Sequence, residues 1–281
     1  MGDDRPIGIF DSGLGGLTVV NAMAKALPKE SFIYVGDTAR VPYGGKDADT
    51  IRDYGRQIVD FLQKKDVKAI IAACGTISSN AMEDLWKEFD LPIIDVVRPG
   101  IDACLKLCKE KNKKRVGVIA TEATIKSSFF QRSLKEKNPS LVVEAKACPL
   151  FVPLIEAGLA NNTDAAQIVK DCLKDWQDNP VDILILGCTH YPLLTPILSK
   201  VLENTAQVDM AVATVEVTAK YLTENNMLKK FGKANNEGHG SSNAFAETSN
   251  EFYVSGDIKK FNDMGQQITG TSINAKMVYW K

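Results

Sequence analysis

The segment VKAIIAACGT, residues 67–76, places an apolar run directly before a cysteine, and VDILILGCTH, residues 181–190, repeats that arrangement. A second match aligns RPIGIFDS, residues 5–12, with KRVGVIAT, residues 114–121. Two matches at the nearly equal offsets of 109 and 114 positions favour duplicated lobes. Any two buried parallel strands resemble each other, which is the alternative explanation. The cysteine at the same strand end in both segments favours the duplication.

Short β-branched runs alternate with amphipathic stretches along most of the chain. The runs are RPIGIF, SFIYVG, VKAIIAA, LPIIDVV, KRVGVIA, LVVEAKA and VDILILG. This alternation predicts an α/β fold whose sheets are mostly parallel and flanked by helices. Ligands of such sheets bind beyond the carboxyl ends of the strands. We therefore expect two similar lobes with the active site in the cleft between them.

The lobe limits follow from composition. The first lobe is predicted to comprise residues 1–98 and 209–281, and the second lobe residues 99–208. Residues 232–250, GKANNEGHGSSNAFAETSN, are polar and glycine-rich, which predicts an exposed insertion or linker. The following EFYVSGD is a strand pattern that would add to the first sheet and make the first lobe discontinuous.

Charge and hydropathy exclude several classes of partner. The 281 residues include 34 basic and 35 acidic side chains, so we expect no bulk attraction to nucleic acid or to an anionic membrane. No apolar run approaches the roughly 20 residues that span a bilayer, and the acidic N-terminus does not resemble a secretory signal. These features predict a cytoplasmic protein with a small-molecule partner and leave a homodimer open.

Six cysteines without a CxxC pair are typical of reduced thiols. Four of them are expected to pack in the core or at the surface, namely Cys104, Cys108, Cys148 and Cys172. Only two histidines are present, so the sequence predicts no metal site.

Cys74 and Cys188 occupy matched strand ends and suit a reaction that inverts a stereocentre. Such a reaction needs a base on one face of the substrate carbon and an acid on the other, and two thiols can exchange these roles in each turnover. A free thiol has a pKa of about 8.5, so a neighbouring group must favour the thiolate. His190 is predicted to assist proton transfer at Cys188, and Asp11, at the end of the first strand, is predicted to assist it at Cys74.

The glycine-rich segment DSGLGG, residues 11–16, does not bind a dinucleotide. The GxGxxG fingerprint requires a glycine where this chain has Thr18, and no GKS or GKT follows that would form a P-loop. The turn can still present backbone N–H groups to a substrate carboxylate. We expect no cofactor.

Several motifs together resemble the glutamate racemase family, in that family's order and approximate spacing. They are DSGLGGLTVV near the start, GDTARVPYG at 36–44, ACGT, PLIEAG at 153–158 and GCTHYPLL at 187–194. The resemblance covers most of the chain. It implies interconversion of L- and D-glutamate without pyridoxal phosphate or metal, which supplies D-glutamate for the peptidoglycan of a bacterial cell wall and thereby supports cell shape.

Residue roles follow from the resemblance position by position. It implies Cys74 and Cys188 as the acid–base pair, assisted by Asp11, Glu156 and His190. The substrate contacts that it implies are Asp11, Ser12, Tyr43, Gly44, Gly75, Thr76, Thr189 and His190. One departure is Gly75, because the family usually has Asn after the first cysteine. We expect Gly75→Asn to be tolerated and to tighten substrate binding.

Three alternatives stay open at this stage. An aspartate racemase would use the same chemistry, since the sequence does not show the depth of the pocket. A hydrolase would use Cys188 and His190, although residues one apart on a strand face opposite ways, from which we expect their direct contact to be disfavoured. A non-catalytic binding protein is the third, and the retained thiol pair argues against it.

Overall fold

The computed structural model describes residues 2–160, 162–229 and 249–280. The predicted polar insertion, apart from its last two residues, lies outside the described residues. Within these described residues, ten strands form two parallel sheets, and helices connect and cover them. This architecture confirms the predicted α/β fold with two similar lobes.

The first sheet contains six strands in the order β10-β9-β2-β1-β3-β4. Their bounds are Ile7–Asp11 (β1), Phe32–Gly36 (β2), Ala69–Ala72 (β3), Ile93–Asp95 (β4), Glu251–Val254 (β9) and Ala275–Met277 (β10). β1 is buried along its whole length between β2 and β3, as expected for a central strand of a parallel sheet. The segment EFYVSGD therefore does return to this sheet, where β9 pairs with β2. The exact lobe limits stay a prediction.

The second sheet contains four strands in the order β6-β5-β7-β8. Their bounds are Arg115–Ala120 (β5), Val142–Ala147 (β6), Ile183–Leu186 (β7) and Ala206–Asp209 (β8). Four neighbouring strands of the first sheet, β2-β1-β3-β4, have the same order, so that β1 corresponds to β5, β2 to β6, β3 to β7 and β4 to β8. The register also matches, because Gly8 lies opposite Ile70 in the first sheet and Gly117 opposite Leu184 in the second. Both sequence offsets thus fit one structural repeat.

Thirteen α-helices lie within the described residues. They are Leu17–Ala26 (α1), Ala48–Lys64 (α2), Gly75–Asn80 (α3), Met82–Glu88 (α4), Val97–Glu110 (α5), Glu122–Lys126 (α6), Phe129–Lys137 (α7), Phe151–Glu156 (α8), Thr163–Cys172 (α9), Lys174–Asp178 (α10), Thr195–Val201 (α11), Met210–Glu224 (α12) and Ile258–Thr269 (α13). None of these helices is long and apolar enough to cross a membrane.

α12 packs against α1 and α5, and a single apolar cluster includes residues from both lobes. Cys104 and Cys108 lie one turn apart on α5 and are buried in that cluster. Their position agrees with the expectation that they serve packing. The burial of apolar area between the lobes stabilises their relative placement.

A buried ion pair links four segments of the first lobe that are distant in sequence. Lys68 Nζ lies 2.6 Å from Glu30 Oε2, and both side chains are almost fully buried. Lys68 also donates hydrogen bonds to the backbone oxygens of Asp3 and Met227, while Glu30 accepts one from the backbone N–H of Lys229. Because the charges are excluded from water, each depends on the other for its compensation.

Candidate active site

A cavity of about 500 Å³ opens between the two lobes, beyond the carboxyl ends of the strands. It is lined by every site residue that the sequence predicted: Asp11, Ser12, Tyr43, Gly44, Cys74, Gly75, Thr76, Glu156, Cys188, Thr189 and His190. The fold therefore brings together residues that are widely separated in sequence. Their individual roles are argued below from geometry and charge.

Cys74 lies two residues beyond β3 and directly precedes α3. Its side chain is almost fully buried. Burial, together with the nearby carboxylate of Asp11, raises the pKa of the Cys74 thiol to about 12, against a smaller opposing effect of hydrogen bonds with Ile77 and Ser12. Cys74 is therefore a thiol at neutral pH in the free protein.

Asp11 ends β1 and lies beneath the glycine-rich turn. Its Oδ2 accepts hydrogen bonds from the backbone N–H groups of Gly13 and Gly16, each at 3.0 Å. Burial raises the pKa of this carboxyl group, and the nearby His190 and the backbone hydrogen bonds counteract the effect. The glycine-rich turn of residues 11–16 thus holds the Asp11 carboxylate in a fixed position.

A hydrogen-bonded chain runs from Cys188 through His190 to Glu156. The Cys188 sulfur lies 3.7 Å from His190 Nδ1, and His190 Nε2 lies 3.1 Å from Glu156 Oε1. Burial lowers the pKa of His190, but the hydrogen bonds to Cys188 and Glu156 outweigh it and raise the pKa to about 10. Glu156 has a lowered pKa because its contact with His190 outweighs burial. At neutral pH the imidazole is therefore a cation beside the Cys188 sulfur.

The contact between Cys188 and His190 corrects one sequence argument. Strand alternation was expected to turn these side chains to opposite faces, but that expectation is wrong, because residues two positions apart on a strand share a face. β7 ends at Leu186, and His190 has helical backbone angles of φ −74° and ψ −31°. The segment is no longer a strand at His190, and the 3.7 Å separation of the Cys188 sulfur from His190 Nδ1 shows that the two side chains face each other.

Tyr43 and Gly44 belong to a single helical turn that follows Pro42. The Tyr43 side chain is buried, and its hydroxyl donates a hydrogen bond to the Asp37 carboxylate. Burial and the Asp37 charge raise the pKa of Tyr43, so it stays a neutral donor. Gly44 closely approaches Thr121 of the second lobe, since a Cβ at Gly44 would lie 2.8 Å from the Thr121 Cβ.

Sequence reasoning missed three polar residues of the cavity, namely Thr121, Glu122 and Lys260. Thr121 follows β5 and its Oγ1 lies 2.9 Å from Thr76 Oγ1, which links the lobes across the cavity. The internal repeat places Thr121 opposite Ser12, so the alignment could have identified it. Lys260 lies on α13, and its Nζ is 4.0 Å from Glu156 Oε2. No motif pointed to this lysine.

Gly75 contacts the opposite lobe through its backbone. A Cβ at this position would lie 2.5 Å from the Gly187 carbonyl oxygen, which is much closer than van der Waals contact allows. The expectation that Gly75→Asn is tolerated is therefore wrong for this arrangement of the lobes. Because Gly75 has no side chain, the segments that carry Cys74 and Cys188 can approach each other closely through their backbones.

The described residues contain no group of three or more His, Cys, Asp or Glu side chains positioned to hold a metal ion. The polar groups around the cavity are instead thiols, hydroxyls, carboxylates, one imidazole and the Lys260 ammonium group. These groups can bind a small polar molecule and transfer protons to and from it.

Comparisons with known proteins agree with this chemistry. Residues 7–221 match the family model described as Asp/Glu/Hydantoin racemase. Glutamate racemase 2 of Caldanaerobacter subterraneus subsp. tengcongensis is 39% identical over 273 residues, covering 97% of this chain and 96% of that protein. The glutamate racemase of Neisseria meningitidis serogroup C is 39% identical over 274 residues, with 97% and 96% covered. The crystal structure of glutamate racemase from Francisella tularensis subsp. tularensis SCHU S4 in complex with D-glutamate has a TM-score of 0.86 at 36% identity, covering 99% of this chain and 98% of that one. The chain therefore belongs to the Asp/Glu/hydantoin racemase family.

Proposed function

We propose that this protein interconverts L- and D-glutamate by proton transfer between Cys74 and Cys188. One observation carries the proposal: two thiols at matched strand ends of the two lobes line one cavity, and their electrostatic surroundings are opposite. Cys74 lies near a carboxylate, whereas Cys188 lies beside an imidazolium. This difference in charge suits one thiol to act as the acid and the other as the base, as inversion of a stereocentre requires.

In the proposed reaction the Cys188 thiolate removes the proton from the substrate α-carbon on one face. The positive charge of His190 lies beside the Cys188 sulfur, where it attracts negative charge, and Glu156 keeps the imidazole protonated and oriented. The Cys74 thiol then donates its proton to the opposite face. Afterwards Cys188 is a thiol and Cys74 is a thiolate, which is the state needed for the opposite direction.

Asp11 is proposed to assist Cys74 from a fixed position. Its carboxylate cannot move away from the thiol without losing two backbone hydrogen bonds. The proposed substrate contacts are the remaining polar and glycine positions of the cavity, namely Ser12, Tyr43, Gly44, Gly75, Thr76 and Thr189. Asp11 and His190 are proposed to contact the substrate as well.

Glutamate is favoured as the substrate by the relatives. Those named above are glutamate racemases, and the Francisella tularensis structure contains D-glutamate. The proposed cellular role is the supply of D-glutamate for peptidoglycan, in the cytoplasm and with the small molecule as the partner. Aspartate is the competing substrate, which the experiment below compares directly.

A thiol hydrolase is a second candidate, because Cys188, His190 and Glu156 form a chain of the kind that activates a nucleophile. That function would leave Cys74 without a role. Racemisation uses both thiols, and for this reason we favour it.

Circular dichroism of L-glutamate, incubated with the purified protein after chelation of metals, tests the proposal. We expect the signal to decay to zero with L-glutamate and much more slowly with L-aspartate. An unchanged signal with both amino acids would overturn the proposed function, and faster decay with L-aspartate would reassign the substrate.

The two-thiol mechanism has its own test. Cys74→Ala and Cys188→Ala should each abolish racemisation in both directions, while Cys104→Ala retains it. In deuterated water the first product should carry solvent deuterium at the α-carbon, because its hydrogen comes from a thiol that exchanged beforehand. Early product that retains the substrate hydrogen would refute a reaction with separate acid and base.

A further inference from the structure

Two cysteines that take no part in the proposed reaction lie in contact behind the active site. Cys148 follows β6, and Cys172 is the last residue of α9. Their sulfur atoms are 3.0 Å apart, although the two residues are separated by 24 positions in the sequence. Both are free thiols. A disulfide requires an S–S distance of about 2.05 Å, so bond formation needs a movement of about 1 Å.

The two thiols differ in accessibility. Cys148 is 1% exposed and borders the active-site cavity, whereas Cys172 is partly exposed and does not line that cavity. A small oxidant can therefore reach Cys172 from solvent. Cys148 is the buried partner that lies within bonding reach.

The charge distribution makes Cys172 the more reactive member. The hydrogen bond from Cys148 lowers the pKa of Cys172, and Lys146 acts in the same direction against the effect of burial. The shared hydrogen bond and burial raise the pKa of Cys148, which stays protonated. The thiolate is the nucleophile in reactions with peroxides, so oxidation should begin at Cys172.

We propose that Cys148 and Cys172 form a redox-active pair that closes a disulfide when the protein meets a hydroperoxide. The Cys172 thiolate attacks the peroxide, the O–O bond breaks, and Cys172 becomes a sulfenic acid while hydroxide leaves. The Cys148 sulfur then attacks the Cys172 sulfur, and the sulfenic hydroxyl leaves as water with the Cys148 proton. Each disulfide thus consumes one hydrogen peroxide and yields one water and one hydroxide, and the hydroxide becomes a second water by taking up the proton that Cys172 released when it formed the thiolate.

The bond would connect a segment that lines the site to the helix α9 behind it. Cys148 precedes α8, which carries Glu156, and the Cys148 carbonyl oxygen accepts a hydrogen bond from Tyr191, the neighbour of His190. The disulfide would fix this connection to α9 and stabilise the second lobe. This inference does not depend on the proposed function, since neither its chemistry nor its test involves the substrate.

The test exposes the reduced full chain to hydrogen peroxide, alkylates the remaining thiols and maps the peptides without reduction. We expect one linked peptide that joins Cys148 to Cys172, reversed by dithiothreitol. The oxidised protein should unfold roughly 5 °C higher than the reduced protein. Cys172→Ser should abolish both effects, whereas the matched control Cys104→Ser, which alters a cysteine buried in α5, should retain both.

Two results would overturn the proposal. One is a linked peptide that joins Cys148 to Cys188, since Cys188 lies in the same cavity. The other is complete alkylation of Cys148 and Cys172 at a peroxide concentration that oxidises Cys74 or Cys188.

Discussion

Replacement of Gly75 by alanine should separate the two catalytic segments. The new Cβ would lie 2.5 Å from the Gly187 carbonyl oxygen, whereas ordinary contact begins at 3.4 Å, so the segments must move apart by about 0.9 Å. Cys74 directly precedes Gly75 and Cys188 directly follows Gly187, so the two sulfurs separate with them. A misplacement of about 1 Å at a reacting centre costs roughly 100-fold in rate. We therefore expect kcat to fall by roughly this factor in Gly75→Ala.

The assay is racemisation of L-glutamate followed by circular dichroism, with kcat and KM determined separately. Gly75→Ala keeps the backbone N–H that is proposed to contact the substrate, so KM should change much less than kcat. Gly45→Ala is the matched control, since Gly45 also lines the cavity and a Cβ there would have no atom within 4 Å. A kcat for Gly75→Ala that equals that of Gly45→Ala, with the normal thermal unfolding of both, would refute the reasoning.

Three further predictions concern charge. Lys68→Ala leaves the buried Glu30 charge unpaired and should lower the free energy of unfolding by about 3–5 kcal/mol in urea titrations; a loss below about 1 kcal/mol would contradict the ion-pair argument. The pKa of His190 is raised from 6.5 to about 10, so its stabilisation is complete below 6.5 and lost as pH rises through about 10. The midpoint temperature of thermal unfolding should therefore fall more steeply with rising pH in the wild type than in His190→Gln. Equal slopes of this temperature against pH in the two proteins would contradict the prediction. Glu156→Gln removes a contact that raises the pKa of His190, so the alkaline limb of kcat/KM should move to lower pH; an unmoved limb would exclude that role for Glu156.

The fold could be predicted because its central strands are buried on both faces. Such strands appear in the sequence as continuous apolar runs, and the repeat of two of them revealed the second lobe. β8 and β10 were not among the predicted runs. Both are short strands at sheet edges, and β10 includes the exposed Lys276, so neither forms an apolar run.

Site residues could be predicted where a reactive side chain closely follows an apolar strand, as Cys74 and Cys188 do. Lys260 could not be found, because α13 reaches the cavity only through the packing of the returning chain against the first lobe. The sequence shows that residue 75 has no side chain. It does not show that the Gly187 carbonyl oxygen lies close to the position that a Cβ of residue 75 would take. Contacts across the cleft depend on the relative placement of the lobes, which no local pattern encodes.

The position of β9 determines the order in which the first lobe can be completed during synthesis. Phe32, in β2, donates a backbone hydrogen bond to the Asn250 side chain, 218 positions later, and β9 follows at once. Until that segment leaves the ribosome, β2 presents an unpaired edge, which is a template for association with other chains. The second sheet is continuous in sequence and can form meanwhile. A nascent chain that stalls before β9 would therefore carry a folded second lobe and a first lobe whose β2 edge can pair with other chains. Chaperones would be needed most until β9 and β10 have been synthesised.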